Sequence, residues 1–339
     1  MSYPTDQTLN LFHHGSQFDP ARLTRLSQLA RRVPLRKQKR VLSTRAGNHL
    51  SSVRGRGLDY AENRQYLPGD DIRSMDWRVT ARTGSPHIKV YQEEKERPVL
   101  LVTDLRASMN FGSRRTLKQL LAADLTALLG WATIAEGNRL GALIFNDDQE
   151  LDLRPKPGNK QQLQVINGLA TLYDKRPPGS REPALSAASS LTARQDRPAN
   201  RPSLQQRMTD ICLHLRRIAK PGTSIYFISD WHGMNADAEA QLFDLSRHCD
   251  LTAMQIYDPL EARLPANGWL TLSDGQRRDL INSSSQQQQH DHQHRFEQQQ
   301  QRLQQHMMRL RMPLLTISTA DDPLRALLSG LGLTTATGG

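Results

Sequence analysis

The chain has 339 residues, 37% hydrophobic and 23% charged, with 45 Lys and Arg against 34 Asp and Glu for a net charge of +11. That length holds one large domain or two smaller ones, and no apolar run approaches the ~18–20 residues of a membrane helix. Cys212 and Cys249 lie far apart, which argues against both a disulfide scaffold and a zinc site of cysteine spacing. The opening residues, MSYPTDQTLNLFHHGSQFD, lack the basic and apolar regions of a signal peptide, so the expected location is the cytoplasm.

Residues 1–44 read as a basic N-terminal helical region. In DPARLTRLSQLARRV (19–33), Leu23, Leu26 and Leu29 recur at helical spacing behind Asp19 and Pro20, both helix-start signals. Residues 1–98 hold 18 Lys and Arg against 10 Asp and Glu, densest in RRVPLRKQKR from Arg31 to Arg40. Such a patch suits nucleic acid, anionic lipid or an acidic protein. No aromatic residues are interleaved for stacking, so a solvated helix face is the plainer account. Residues 45–97 read as short strands and irregular structure punctuated by Gly47, Gly55, Gly57, Gly69 and Gly84. Within them, HIKVYQEE alternates as a strand does.

From residue 98 the pattern changes to buried strands alternating with helices. Strands are expected at 99–104, 139–147, 223–230, 251–258 and 313–319, with 150–155 pairing back on its predecessor as a hairpin. Helices are expected at 117–137, 161–173, 204–219 and 236–249 and at the end of the chain, and GWLTLSDG (268–275) reads as a hairpin. Residues 98–335 therefore predict an α/β domain with a mainly parallel sheet flanked by helices. Ligands of such sheets bind at the carboxyl ends of the strands, where Asp104 and Asp230 fall. Residues 174–202 read as a flexible insertion, and 283–295 as a Gln/His-rich loop running into a surface helix from about Arg295. His290, His292 and His294 would bind a metal only from extended backbone or when ordered by the ion, and a low-complexity tract is the plainer reading.

The segment RQYLPGDDIRSMDWRVTAR, Arg64 to Arg82, fits no simple period. Pro68-Gly69 is a turn signal ahead of Asp70 and Asp71. Arg64, Arg73, Arg78 and Arg82 are near enough in sequence to pair with these acids and with Asp76, and Trp77 is expected to pack into the core as part of a structural clasp. A partner-binding surface is the functional alternative, since Trp and Arg dominate interface hot spots. No phosphate-binding glycine loop and no nucleophile–base pair accompany the acids.

VLLVTDLRASM (99–109) resembles the first strand and metal loop of a von Willebrand factor A domain. The resemblance implies a magnesium site with oxygen ligands. Asp104 and Ser108 match its D-x-S-x-S loop, and Asp230 matches a later acid. Ser203, or else Thr192, stands in for a Thr. Arg106 replaces the first Ser of the loop. A guanidinium donates hydrogen bonds and never accepts them, so it repels a cation instead of ligating one. No cofactor is therefore expected, and magnesium on Asp104, Ser108 and Asp230 is disfavoured. An internal Arg–carboxylate network or an Arg106 facing solvent or a partner are the other readings.

Upstream, the motif residues Arg54, Gly55 and Gly57, then Arg64, Tyr66, Gly69 and Asp70, then Arg73, Asp76, Trp77, Ala81 and Arg82 resemble the pattern of the domain of unknown function 58 family. The resemblance covers most of the chain from about residue 45. It implies a von Willebrand factor A-like (Rossmann-like) fold with an N-terminal β-containing docking region. It also implies a partnership with AAA+ ATPases of the MoxR type, in protein maturation or complex assembly, and the expected role is a non-enzymatic interaction module. The expected partner site is the top of the sheet around Asp104, Arg106, Ser108, Ser203 and Asp230. Alternative readings are a nucleic-acid-binding protein using the basic N-terminus and a metal-dependent hydrolase, which Arg106 disfavours.

Overall fold

A computed structural model describes residues 10–35, 58–66, 72, 75–93, 97–174, 202–265, 269–273, 278–282 and 286–332, with backbone alone for 58–64, 89–93, 269–273 and 278–282. The chain divides into two compact units, Asn48–Glu96 and the remainder.

The larger unit is built on one six-stranded sheet. Its strands are β3 (Pro98–Asp104), β4 (Arg139–Phe145), β5 (Glu150–Lys156), β6 (Ser224–Ser229), β7 (Asp250–Tyr257) and β10 (Leu314–Ser318). Their spatial order is β10-β7-β6-β3-β4-β5. All neighbours pair in parallel except β5, which runs antiparallel to β4 at the edge. This is the doubly wound order, with its topological switch between β3 and β6, and it matches the von Willebrand factor A-like expectation.

Strand residues alternate between two cores, as a period of two requires. Val99, Leu101, Ile144, Ile228 and Ile256 face one core, while Leu100, Val102, Phe145, Phe227 and Ala253 face the other. With both faces covered, the strands read as unbroken apolar runs.

The first core is closed by α3 (Lys118–Ala135), α4 (Asn159–Asp174) and α9 (Pro323–Gly330), the second by α5 (Leu204–Ile218), α6 (Ala236–Ser246) and α8 (Gln286–Arg309). Helix α3 is buried from Lys118 to Thr133 because the N-terminal segment covers the side turned away from the sheet. That segment forms α1 (Pro20–Arg25), capped by the Asp19 carboxylate, and a 3-10 helix over Leu26–Arg32. Leu23, Leu26 and Leu29, three residues apart, suit the 3-10 repeat and are buried. Each contributes about 2 kcal/mol of apolar burial. The Trp131 indole N–H donates to the Leu23 carbonyl at 2.9 Å. His13 ties the segment to α3 twice: its backbone N–H and its Nδ1 both reach the buried Asp124 carboxylate, at 2.9 and 2.6 Å. Of the basic run Arg31–Arg40, residues 36–40 lie outside the described set.

Two expectations are corrected. The Gln/His-rich stretch expected as a loop over 283–295 is helical from Gln286, because α8 extends 24 residues through it. The helix places His292 against the Leu260 carbonyl while His290 and His294 stack on one exposed face. The hairpin expected within 268–275 instead pairs β8 (Trp269–Ser273) with β9 (Arg278–Asn282). The insertion expected over 174–202 falls, from 175 to 201, outside the described residues.

In the smaller unit, β1 (Leu58–Gln65) and β2 (His87–Glu93) pair antiparallel with a bulge between Tyr60 and Glu62, and α2 (Trp77–Thr83) lies in their connection. No described helix is long and apolar enough to cross a membrane.

Candidate functional site

Asp104 ends β3 and Asp230 follows β6, so the switch between these neighbouring strands brings both carboxylates together at the carboxyl edge. Arg106, two residues past Asp104, turns back between them with its side chain fully buried. Its Nε lies 3.0 Å from each Asp104 oxygen, and Nη2 donates to Oδ2 at 2.7 Å. Its backbone N–H donates to Oδ1 at 2.9 Å. Nη2 also donates to the His232 carbonyl at 3.0 Å and stands 3.8 Å from Asp230. The guanidinium carbon lies 5.6 Å from the Phe145 ring centroid.

Lys118 supplies a second buried cation. Its Nζ donates to Asp230 at 3.1 Å and to Glu261 at 2.6 Å. Further donors reach the same acids. Ser229 Oγ donates to Asp104 at 2.6 Å, the His232 backbone N–H and Nδ1 reach Asp230 at 3.0 and 2.8 Å, and Asp147 accepts from the Ala107 N–H at 2.7 Å.

Burial by itself pushes every charge in this cluster toward neutrality, and the partners decide the outcome. For Arg106 burial is the largest single influence and lowers the pKa, but the charge and hydrogen bond of Asp104, with Asp230 and Asp147, together outweigh it and raise the pKa. Glu261 and Asp230 likewise outweigh burial at Lys118 and raise it. Asp230 is held well below the usual carboxylate range, because His232, Lys118 and Arg106 overcome its desolvation. Asp147 moves the other way: burial raises it, and the single hydrogen bond from Ala107 does not compensate.

The turn after β6 makes this geometry possible. Trp231 adopts φ 62°, a left-handed conformation costing a bulky residue about 1–2 kcal/mol. It is held by its N–H bond to Ser229 Oγ at 2.9 Å and by its ring, 4.6 Å from Phe227. Gly233 follows at φ 84°, and a Cβ there would meet the Leu204 carbonyl oxygen at 2.4 Å. Only glycine lets this loop approach the start of α5 so closely.

The residues present do not fit the magnesium ion that the resemblance implies. Asp104 is engaged by a fixed guanidinium and a serine hydroxyl, and Asp230 by an ammonium and an imidazole. A divalent cation would have to enter beside two buried positive charges. Among the described residues no group of three His, Cys, Asp or Glu side chains is placed to hold a metal. The buried Ser108 Oγ has no hydrogen-bond partner there. Ser203 is exposed and serves as a helix cap, accepting from the Gln206 N–H at 3.0 Å. Thr192 lies outside the described residues.

The structure thus gathers Asp104, Arg106 and Asp230, and adds Lys118, Ser229, His232, Asp147 and Glu261, which sequence reasoning missed. One signal was available: a lone Lys opening a helix apolar on all sides, which is buried only with a partner. Of the residues expected to meet a partner, Ser203 alone among the described ones is exposed. Asp104 and Arg106 have no exposed surface, and Asp230 has almost none.

In the motif segment, Asp76 caps α2, its carboxylate accepting from the N–H groups of Arg78 and Val79. Trp77, expected in the core, is instead 68% exposed. It is the first residue of a seven-residue helix that buries none of its side chains. The Tyr66 N–H donates to the Pro86 carbonyl at 2.9 Å, and the Arg64 backbone pairs with Ile88. Gly69, Asp70 and Arg73 lie outside the described residues, and Arg82 is exposed.

The family described as Protein of unknown function DUF58 matches residues 62–306. Uncharacterized proteins of Mycobacterium bovis and of two Mycobacterium tuberculosis strains are each 31% identical over 230 residues. The alignment covers 68% of this chain and 64% of each relative, so the chain spans a little under two thirds of their length. Among solved structures, BatB from Bacteroides thetaiotaomicron aligns at 13% identity and a TM-score of 0.32, over 63% of this chain and 98% of that one. An aerotolerance-related membrane protein from Bacteroides fragilis aligns at 12% identity and a TM-score of 0.37, over 70% and 100%. Scores this low leave the fold to be read from the strand order itself.

Proposed function

The chain belongs to the DUF58 family, and we propose that it is a non-enzymatic protein-interaction module that works in the cytoplasm with a MoxR-type AAA+ ATPase, in protein maturation or complex assembly. One observation carries the non-enzymatic part. At the carboxyl edge, where an α/β sheet normally keeps its reactive groups, Asp104 and Asp230 are committed to Arg106, Lys118, Ser229 and His232. A general base needs a lone pair within reach of substrate, and each oxygen of these two buried carboxylates already accepts at least one hydrogen bond. The edge works as a rigid keystone that fixes the β3 and β6 loops, and binding falls to surfaces elsewhere. The ATPase partner follows from the family resemblance.

The test is direct binding between the purified chain and the MoxR-type ATPase of the same genome, by calorimetry and light scattering, with ADP, ATP and no nucleotide. A defined complex in at least one nucleotide state, with a changed ATPase rate, is expected. No complex in any state sinks the proposal.

A further inference from the structure

We propose that α2 is the docking element of this protein. Trp77 enters an apolar pocket on a partner protein, and Arg78 and Arg82 pair with carboxylates around that pocket. The proposal rests on the interaction-module reading and names the surface and the chemistry of what it meets.

The exposed tryptophan is the first observation. Trp131 and Trp231 are buried, whereas Trp77 is 68% exposed, and Ile72 just upstream is 61% exposed. Large apolar side chains left in water usually mark a contact surface, and Trp and Arg are the residues most often found at hot spots.

The second observation is how firmly the ring is presented. The Asp76 carboxylate caps the helix, and the Asp76 N–H donates to the His87 carbonyl at 2.8 Å. Thr80 Oγ1 accepts from the His87 N–H at 3.0 Å, and Thr83 Oγ1 donates to the Val79 carbonyl at 2.9 Å. Gly84, at φ 71°, closes the helix in a left-handed turn. Seven residues would not hold a helix alone in water. Pinned to β2, they keep Trp77 outward, and little ordering entropy is left to lose on binding.

Charge selects the partner. Arg78 and Arg82 are both exposed and stand four residues apart, so they share one side of the helix, flanking the tryptophan's side. The matching surface is acidic around an apolar pocket. A polyanion such as nucleic acid is the poorer match, because residues 48–96 hold eight Lys and Arg against eight Asp and Glu. Their zero balance means that this segment adds nothing to the long-range attraction that nucleic-acid binding needs, so its two arginines act at close range.

The experiment uses the full chain in two arms. In the first, the free chain is oxidised with N-bromosuccinimide and mapped by mass spectrometry. Trp77 is expected to react well before Trp131 and Trp231, and protection of Trp77 in the free chain overturns the proposal. In the second, binding to the ATPase is compared for wild type, Trp77→Ala, the double variant Arg78→Glu/Arg82→Glu and the control Leu163→Ala, with melting curves to confirm folding. Trp77→Ala and the charge reversal are each expected to weaken binding at least about tenfold. Leu163→Ala should leave binding unchanged. Unaltered affinity in both α2 variants overturns the docking surface and leaves the interaction module standing. Absence of any wild-type complex removes the reading beneath it and this proposal together. A dimer that Trp77→Ala dissolves, or a nucleic-acid shift that it abolishes, assigns the face to another occupant and overturns it as well.

Discussion

The carboxyl edge of the sheet and the α2 segment invert, in opposite directions, the rule that charge lies outside and apolar surface inside. At the edge, Arg106 and Lys118 are fully buried with Asp104 and Asp230. In the segment, a tryptophan stands in water. The buried charges answer one another, whereas the tryptophan is held at the start of its helix with 68% of its surface exposed. On the proposed reading, chemistry-bearing residue types do not locate function in this chain. What separates the two regions is whether the interactions are already complete.

The largest test of that contrast is Arg106→Ala. It leaves Asp104 buried beside unanswered acceptors, and a loss of about 3–5 kcal/mol in urea unfolding is expected. Arg106→Lys should recover only part of it, because an ammonium does not reproduce the planar fork. A loss below about 1 kcal/mol would mean that the edge is not a keystone.

The dependence on pH comes next. The native pKa of Asp230 is depressed, so its contribution is complete above its unfolded value of about 3.9 and disappears as pH falls through the lower native value. Lys118 is raised, so its contribution is complete below about 10.4 and is lost as pH climbs through the higher native value. Asp147 is raised by burial and opposes Asp230 on the acid side. The stability gap between wild type and Asp230→Asn should therefore be widest between about pH 4 and pH 10 and close on acidification. A gap that stays constant through the acid range would show that ionisation is not what Asp230 contributes.

Excess magnesium is expected to leave the thermal midpoint of the wild type unmoved. Stabilisation that disappears in Asp104→Asn would mean that a metal and not Arg106 is the cation of this site. Smaller still is Asp76→Ala, which removes a helix cap and should lower stability by about 1 kcal/mol. Smallest is Trp77→Ala, with a change within about 0.5 kcal/mol expected of an exposed side chain. A larger loss would place Trp77 in a core after all.

The framework was legible in the amino-acid sequence because strands covered on both faces read as apolar runs, as VLLVTD and YFIS do. Leu23, Leu26 and Leu29 announced the N-terminal helix for a similar reason. Arg106 was readable from chemistry alone as a counter-charge for the neighbouring acids, since a guanidinium donates hydrogen bonds and never accepts them. Lys118 was not readable, because its partners lie 112 and 143 residues away and only the strand order brings them together. The start of α8 was hidden by composition. QQQQHDHQH has no apolar stripe to mark a face, although glutamine is a good helix former. Trp77 was misplaced because aromatic residues are usually buried, and a seven-residue helix carries too few positions for a pattern to say otherwise.

The strap that His13 and Leu23 fasten across α3 bears on the order in which the polypeptide is made. Its landing points, Asp124 and Trp131, lie 111 and 108 residues further along. During synthesis the leucine-bearing strap leaves the ribosome long before the helix it covers exists, and that helix in turn packs on strands made later still. The apolar side of the strap must wait in solution until the middle of the chain arrives, which makes it a natural client for a holding chaperone.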